Sequence, residues 1–194
     1  MRAVASLEVL RAAERTAVPW KNAGGLTREV VVSPPGSDLQ DFDWRVSIAD
    51  VRTAGAFSVF VGVERLMAII SGRLLLVIDA RAPLTLTPES DAVAFAGETP
   101  VFAEPLGGSV TDLNVMTRRS RCRASLTRQC AAQSERLEPR ADTTLLVALV
   151  DLLVCRGNDQ LALTRLDALR FGRGPACTIT GRFGPAVFHL IEID

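Results

Sequence analysis

The stretch Leu66–Asp79 reads LMAIISGRLLLVID, and it decides the fold of this chain. It holds two apolar runs of strand length, Leu66–Ile70 and Arg73–Asp79, and the pair Ser71-Gly72 between them is a good hairpin turn. An apolar helix needs roughly ten or more residues without such an interruption. The stretch therefore predicts an antiparallel hairpin whose strands face a core.

The same rhythm of short apolar runs and turns extends in both directions along the chain. Further strands are predicted at residues 27–32, 44–49, 84–87, 92–95, 110–116, 122–129, 143–150, 152–155, 161–163, 169–171, 177–180 and 186–193. Helices are conceivable only around Ser6–Glu14 and Gln133–Glu138. The rhythm occurs twice and weakens around residues 129–142, which indicates an internal duplication. We therefore expect an all-β chain of two tandem barrels, 1–120 and 121–194.

The composition excludes several classes of partner. The 194 residues include 22 basic and 22 acidic side chains, so the chain has little electrostatic attraction to nucleic acid or to an anionic membrane. The longest apolar run, Leu145–Val150, is too short to span a bilayer. The first twenty residues are interrupted by charges, and four widely spaced cysteines form no CxxC pair. We expect no signal peptide, reduced cysteines and a cytoplasmic protein.

The first polar cluster is Pro19–Glu29 (PWKNAGGLTRE). Its paired glycines allow a backbone to approach a ligand closely, and Asn22 and Thr27 supply hydrogen-bonding groups. It is not a phosphate loop, because neither GxxxxGK[ST] nor GxGxxG is present. A tight turn that enters a strand explains the same residues, and spacing alone favours that explanation.

Two predicted strands carry the other candidate ligand-binding groups. Arg45 and Ser47 share one face of their strand, and that face is either exposed or lines a polar barrel interior. The planar guanidinium of an arginine is suited to a carboxylate. Asp112 and Asn114 likewise share a face inside an apolar stretch, which implies solvent or a satisfied buried network. Arg65 could reach the mouth of a pocket, although a surface ion pair with Glu64 explains it equally well.

Metal and nucleophile chemistry have little support in the sequence. His189 is the single histidine and lies on an apolar strand face, where a packed core histidine is the simpler interpretation. One histidine and no paired cysteines predict no transition-metal site. GxSxG is absent. We therefore expect no cofactor, no metal ligand and no catalytic residue of these classes.

Taken together, these clusters resemble the HutD family, the histidine-utilisation proteins related to Ves. The resemblance spans about residues 15–119 and is carried by Pro19-Trp20-Lys21-Asn22 through Gly25, Thr27-Arg28-Glu29, Asp43–Ala49, Phe57–Phe60, Gly62 with Glu64-Arg65, and Asp112–Met116. It implies a cupin-type, jelly-roll-like barrel with a pocket, a degenerate second barrel (a bicupin), and a role in histidine catabolism. Ala23 departs from the family pattern where another glycine is usual, and Val61 and Glu64 stand in place of proline and aspartate.

The expected function is metal-independent binding of a small anionic metabolite of histidine breakdown, such as urocanate or a formylated glutamate, by a monomer or homodimer. Arg45 is the expected main anchor, with other contacts from Asn22, Thr27, Ser47, Arg65, Asp112 and Asn114. Two alternatives remain open. One is a pathway isomerase or hydrolase that uses Asp112 or Glu29 as an acid–base group, and the other is a structural partner whose pocket is vestigial.

Overall fold

A computed structural model describes residues 6–20 and 23–194 of the chain. Its strands, in chain order, are β1 (Glu8–Leu10), β2 (Ala17–Pro19), β3 (Gly25–Ser33), β4 (Trp44–Val51), β5 (Gly55–Ala56), β6 (Val63–Ser71), β7 (Leu74–Ile78), β8 (Leu84–Leu86), β9 (Val93–Ala96), β10 (Val101–Pro105), β11 (Val110–Arg118), β12 (Ala124–Ala131), β13 (Ser134–Leu137), β14 (Thr143–Ala148), β15 (Leu152–Arg156), β16 (Asp159–Leu163), β17 (Ala168–Phe171), β18 (Cys177–Gly181) and β19 (Ala186–Ile193). The one helical element in these residues is a 3-10 turn at Ala12–Glu14. The all-β prediction is confirmed.

Both segments considered for helices form other structures. The first contains β1 and the 3-10 turn, and the second contains β13. In each case backbone pairing with a distant strand supplies the hydrogen bonds: β1 pairs with β17, and β13 pairs with β18. Tertiary pairing therefore overrides a weak local preference for helix.

Residues Arg15–Arg123 form one compact unit, the N-terminal barrel. A six-stranded sheet, in the order β2-β3-β4-β11-β6-β9, faces a four-stranded sheet, in the order β5-β10-β7-β8. The prediction of a hairpin at Leu66–Asp79 is wrong. The strands β6 and β7 form there, but β6 pairs with β11 and β9 whereas β7 pairs with β10 and β8, so the turn between them connects the two sheets. Apolar side chains from both sheets form the core; they include Val51, Met67, Ile69, Leu74, Leu76, Ile78, Phe95, Val101 and Val110.

Residues Ala124–Asp194 and the described residues up to Glu14 form the second unit, the C-terminal barrel. Its sheets have the orders β1-β17-β14-β19-β12 and β13-β18-β15-β16. The boundary lies close to the predicted residue 120, but the N-terminal segment differs from the prediction. It joins the second barrel because Val9 of β1 pairs with Leu169 of β17, and Leu7 and Val9 pack on that barrel's core.

Candidate functional site

The face of β4 that carries Arg45 and Ser47 points into the N-terminal barrel. On β11, Asn114 lies opposite Ser47 on one side and opposite Met67 of β6 on the other. Met67 belongs to the core, and residues directly opposite each other in a sheet share a face. Of the two orientations left open by the alternating pattern, the structure has the polar interior.

The inward-facing polar side chains of this sheet form one group, which we call the interior polar strip. Its members are Thr27, Glu29, Arg45, Ser47, Arg65, Asp112 and Asn114. All of the predicted site residues belong to it except Asn22, which lies outside the described residues. Glu29 belongs to the strip as well, although the sequence suggested it only as an alternative acid–base group.

A buried hydrogen-bonded chain forms the centre of the strip. Arg65 Nη2 donates to Asn114 Oδ1 at 2.6 Å, and Asn114 Nδ2 donates to Asp112 Oδ1. Arg65 is 7% exposed and Asp112 is 1% exposed. The two bonds fix the orientation of the Asn114 amide, because its oxygen accepts from the arginine and its nitrogen donates to the carboxyl group.

Three aromatic rings surround the guanidinium of Arg65. Its Cζ lies 4.9 Å from the ring centroid of Phe57, 5.1 Å from that of Phe95 and 6.0 Å from that of Phe60. Ring faces attract cations, and the attraction grows when both groups leave water. The rings therefore offset part of the desolvation of Arg65 without neutralising its charge. The alternating strand pattern could not reveal this contact, because Phe57 and Phe60 lie in the loop that precedes β6.

Burial shifts the protonation of both charged ends of the chain. It raises the pKa of Asp112 to about 7, against the opposing effects of the Arg65 charge and the Asn114 hydrogen bond. It lowers the pKa of Arg65 to about 10, with a smaller opposing effect from Asp112. At neutral pH Arg65 is therefore charged, whereas Asp112 is poised between its two forms.

Arg45 occupies the more open part of the strip. Its Nε lies 2.8 Å from Glu29 Oε2, and its Nη1 donates to Ser47 Oγ at 3.1 Å. The Arg45 side chain is 14% exposed and that of Glu29 is 44% exposed. An anion arriving from solvent can therefore compete with Glu29 for Arg45.

The glycine-rich segment before β3 contains a close backbone approach. A Cβ at Gly25 would lie 2.4 Å from the Asp50 carbonyl oxygen, so only glycine fits there. Trp20 Nε1 donates to Thr27 Oγ1 at 2.8 Å, and Trp20 packs on the barrel core. The structure therefore explains Gly25 by the tight turn that enters β3, and not by the approach of a ligand to the backbone. Ala23 has a φ of +56°, in the region that glycine, the usual family residue, adopts more readily.

Glu64 does not pair with Arg65. Neighbouring residues of a strand point to opposite faces, and Glu64 instead lies 3.8 Å from Arg119. The surface ion pair that the sequence allowed for Arg65 is therefore replaced by the buried contact with Asn114.

The C-terminal barrel provides an internal comparison for the strip. The strands β4-β11-β6-β9 have the same order as β12-β19-β14-β17. Asn114 lies between Ser47 and Met67, just as Leu190 lies between Thr127 and Leu146. By the same registers the equivalent of Asp112 is Phe188, and the equivalent of Arg65 is Thr144.

The comparison separates what the fold requires from what the strip adds. Phe188 and Leu190 are buried in the core of the C-terminal barrel, where apolar residues complete a barrel of the same strand order. Burying Arg65, Asp112 and Asn114 where the C-terminal barrel has Thr144, Phe188 and Leu190 carries a desolvation penalty. The fold therefore does not require these three residues, and they are candidates for a function.

The profile of the HutD family matches residues 12–184. The chain belongs to the HutD family. Among curated proteins, a 21.2 kDa protein encoded in the hutC 3′ region of Pseudomonas putida is 36% identical over 177 residues, which cover 81% of this chain and 91% of that protein. The family resemblance noted in the sequence is confirmed, and the matched range extends into the C-terminal barrel.

Two solved structures of similar sequence cover nearly the whole chain. A conserved protein of unknown function from Pseudomonas aeruginosa PAO1 has a TM-score of 0.87 at 30% identity, over 97% of this chain and 99% of that one. HutD from Pseudomonas fluorescens SBW25 has a TM-score of 0.80 at 30% identity, over 97% of this chain and 98% of that one. The HutD fold therefore extends over both barrels.

The cupin-type fold is supported by a more distant structure. A cupin 2 conserved barrel domain protein from Leptotrichia buccalis has a TM-score of 0.61 at 10% identity, over 91% of this chain and 92% of that one. At such low identity, the similarity is evidence of a shared fold and of nothing more. The cupin-type fold prediction is confirmed.

The described part of the chain contains no group of three or more His, Cys, Asp or Glu residues placed to hold a metal ion. His189 is buried on β19 of the C-terminal barrel, level with Val147 of β14 and Arg128 of β12. None of the described helical segments is long and apolar enough to cross a membrane.

Proposed function

We propose that this HutD-family chain binds a small anionic metabolite at the interior polar strip of its N-terminal barrel and thereby modulates histidine catabolism in the cytoplasm. Urocanate and formylated glutamate are the first candidates, because each is a small carboxylate of that pathway. The Pseudomonas putida relative supports the pathway, since its name places its gene beside hutC. The binding mode uses arginine, amide and hydroxyl groups and requires no metal.

The observation that carries the proposal is the contrast between the two barrels. Arg65, Asn114 and Asp112 form a buried polar chain at positions where the C-terminal barrel has Thr144, Leu190 and Phe188. A buried arginine among aromatic rings is a strong site for a carboxylate, because its charge is fixed in place and poorly hydrated. Arg45 supplies a second cation closer to solvent.

The test is a thermal-shift screen followed by calorimetric titration. A ligand that binds only the folded protein at a hundred times its Kd stabilises it by about 2.7 kcal/mol. We expect urocanate or N-formylglutamate to raise the Tm, whereas matched neutral amides should not. No shift with any carboxylate of the pathway would contradict the proposal.

A swapped variant locates the site. The triple substitution Arg65→Thr, Asp112→Phe and Asn114→Leu gives the N-terminal barrel the residues of its neighbour at these positions. We expect a folded β protein by circular dichroism that no longer binds the ligand. The matched control is the conservative substitution Thr144→Ser at the equivalent position of the C-terminal barrel, and this variant should bind as the parent does. Unchanged binding by a folded triple variant would place the ligand elsewhere.

A second candidate function is acid–base catalysis by Asp112. The observation that favours it is the pKa of about 7 for this buried carboxyl group, because a general acid or base works best near the operating pH. Mixing the protein with each pathway carboxylate and following the mixture by NMR separates the two functions. Turnover that Asp112→Asn abolishes would favour the enzyme, and saturable binding without turnover favours the modulator.

A further inference from the structure

The interior polar strip contains two arginines and two carboxyl groups. Arg45 pairs directly with Glu29 at 2.8 Å, and Arg65 is linked to Asp112 through the amide of Asn114. With Asp112 ionised, the charges within the strip cancel. With Asp112 protonated, the strip has one positive charge in excess.

A bound carboxylate changes this balance. If Asp112 stayed ionised, the occupied strip would hold one uncompensated negative charge, and burying such a charge is strongly unfavourable. Protonation of one carboxyl group removes the excess. Asp112 is 1% exposed and the Glu29 side chain is 44% exposed, so water stabilises the charge of Glu29 but not that of Asp112.

We propose that the N-terminal barrel takes up its anion together with one proton, which is bound by the carboxyl group of Asp112. The inference rests on the proposed function and adds to it the coupling between ligand and proton. The proton comes from solvent and forms an O–H bond at Asp112, and no bond of the ligand breaks. Asn114 Nδ2 already donates to Oδ1, so Oδ2 can accept the proton while that hydrogen bond remains.

The charged neighbours of Asp112 are consistent with this assignment. Arg65 on β6 favours its ionised form, and Asp50 on β4 opposes that form. Asp50 is itself paired with Arg28 of β3 at 2.8 Å, while Arg45 on β4 is held by Glu29 of β3. The facing sheet contributes apolar side chains to this core; they are Leu74, Leu76, Ile78, Leu86, Val101 and Ala103. Because burial already raises the pKa of Asp112 to about 7, a bound anion that raises it by about three further units keeps the group protonated at both pH 8 and pH 9.

The experiment is calorimetric titration of the full chain with urocanate at pH 8, in phosphate and in Tris buffer. The single carboxyl group of this probe titrates near pH 4 and its imidazole near pH 6.5, so the probe carries one negative charge at pH 8 and at pH 9. Different buffer ionisation heats reveal how many protons are bound with the ligand. We expect nearly one proton per bound urocanate, and an affinity that falls close to tenfold between pH 8 and pH 9.

Asp112→Asn should bind urocanate without proton uptake and with the same affinity at pH 8 and pH 9. Glu64→Gln is the matched control, because Glu64 is an acidic residue on the opposite face of β6 and should retain the uptake. Wild-type binding without proton uptake overturns the inference alone, as does uptake that persists in Asp112→Asn. If the asparagine variant does not fold, the two-buffer comparison on the wild type still decides. Absence of any binding by urocanate or N-formylglutamate overturns the proposed function and this inference with it.

Discussion

The carboxylate of Asp167 accepts a hydrogen bond from Arg11, whose Nη1 lies 2.8 Å from Oδ2. Its other oxygen accepts the backbone N–H of Ala12 at 2.7 Å. Thr164 donates to Oδ2 through both its backbone N and its Oγ1 at 3.0 Å. One buried carboxylate between β16 and β17 therefore holds the N-terminal segment on the C-terminal barrel.

Asp167→Asn is expected to lower the free energy of unfolding by about 1.5–3 kcal/mol, the usual contribution of a hydrogen bond to a charged group. The measurement is urea denaturation at pH 7. Asp142→Asn is the matched control, because Asp142 is 73% exposed in its ion pair with Arg173, and exposed pairs contribute about 0–1 kcal/mol. Equal effects of the two substitutions would show that the Asp167 contacts do not secure the segment.

The same residue predicts part of the acid sensitivity. Burial alone would raise the pKa of Asp167, but the hydrogen bonds from Ala12, Thr164 and Arg11 outweigh it and the pKa is lowered. Its contribution to stability is therefore complete above the unfolded pKa of about 4 and is lost as the pH falls through the lower folded value. Asp167→Asn should have a flatter loss of stability below about pH 4 than the wild type, as measured by urea denaturation at each pH.

Arg45→Ala is expected to weaken ligand binding by roughly ten- to a hundredfold, because a charge-assisted hydrogen bond contributes about 1.5–3 kcal/mol. Arg45→Lys should recover only part of the affinity, since it keeps the charge and loses the planar fork. The measurement is calorimetric titration with the best ligand from the thermal screen.

Arg28→Ala is the matched control for Arg45. Arg28 also pairs with a carboxylate at 2.8 Å, that of Asp50, but it belongs to the opposite face of the sheet. It should leave the affinity unchanged. If both Arg45 variants bind like the parent, Arg65 becomes the anchor to test.

His189→Gln should change stability more than ligand affinity. Burial lowers the pKa of His189 to about 4, so the folded protein holds it neutral while the unfolded chain protonates it near pH 6.5. Stability is therefore lost as the pH falls from about 6.5 to about 4, by up to roughly 3 kcal/mol. The glutamine variant should lack this part of the pH dependence. Selective loss of binding with unchanged melting would contradict a structural role.

The protein is expected to purify without a stoichiometric transition metal. The cations of Arg45 and Arg65 in the interior polar strip would repel a metal ion. The chain has a single histidine, His189, whereas a transition-metal site usually needs several imidazole or thiolate ligands. Elemental analysis of the purified chain checks this. One tightly held zinc, iron, manganese or copper ion per chain would contradict the prediction and favour an enzyme.

The strand rhythm and alternating pattern predicted most of the fold and the composition of the strip. Alternation places Arg45 with Ser47 and Asp112 with Asn114 on shared faces, because side chains of a strand have a period of two. Alternation does not give the register between strands. It therefore could not predict the hydrogen bond from Arg65 to Asn114, two residues that are 49 positions apart in the sequence. The pairing of Glu29 with Arg45 depends on register in the same way.

Strands with weak patterns escaped prediction for a different reason. β10 contains Glu104 and Pro105, and β1 has only three residues. Each is a strand because a neighbour supplies the hydrogen bonds: β7 pairs with β10, and β17 pairs with β1. The contacts between Arg65 and the aromatic rings were not predicted either, because Phe57 and Phe60 lie in a loop, where strand alternation does not apply.

The placement of β1 has a consequence for the order in which the chain can fold during synthesis. The N-terminal barrel is continuous in sequence, from Arg15 to Arg123. The ribosome therefore completes all of its strands before it makes the strands β12–β19 of the C-terminal barrel. The C-terminal barrel cannot pair Val9 with Leu169 until the ribosome has made almost the whole chain. Closing so long a loop is slow, and an edge of β17 stays open to other chains meanwhile. Misassembly should therefore begin in the C-terminal barrel. Substitutions that weaken the Asp167 contacts should lower the yield of soluble protein by more than their effect on the free energy of unfolding suggests.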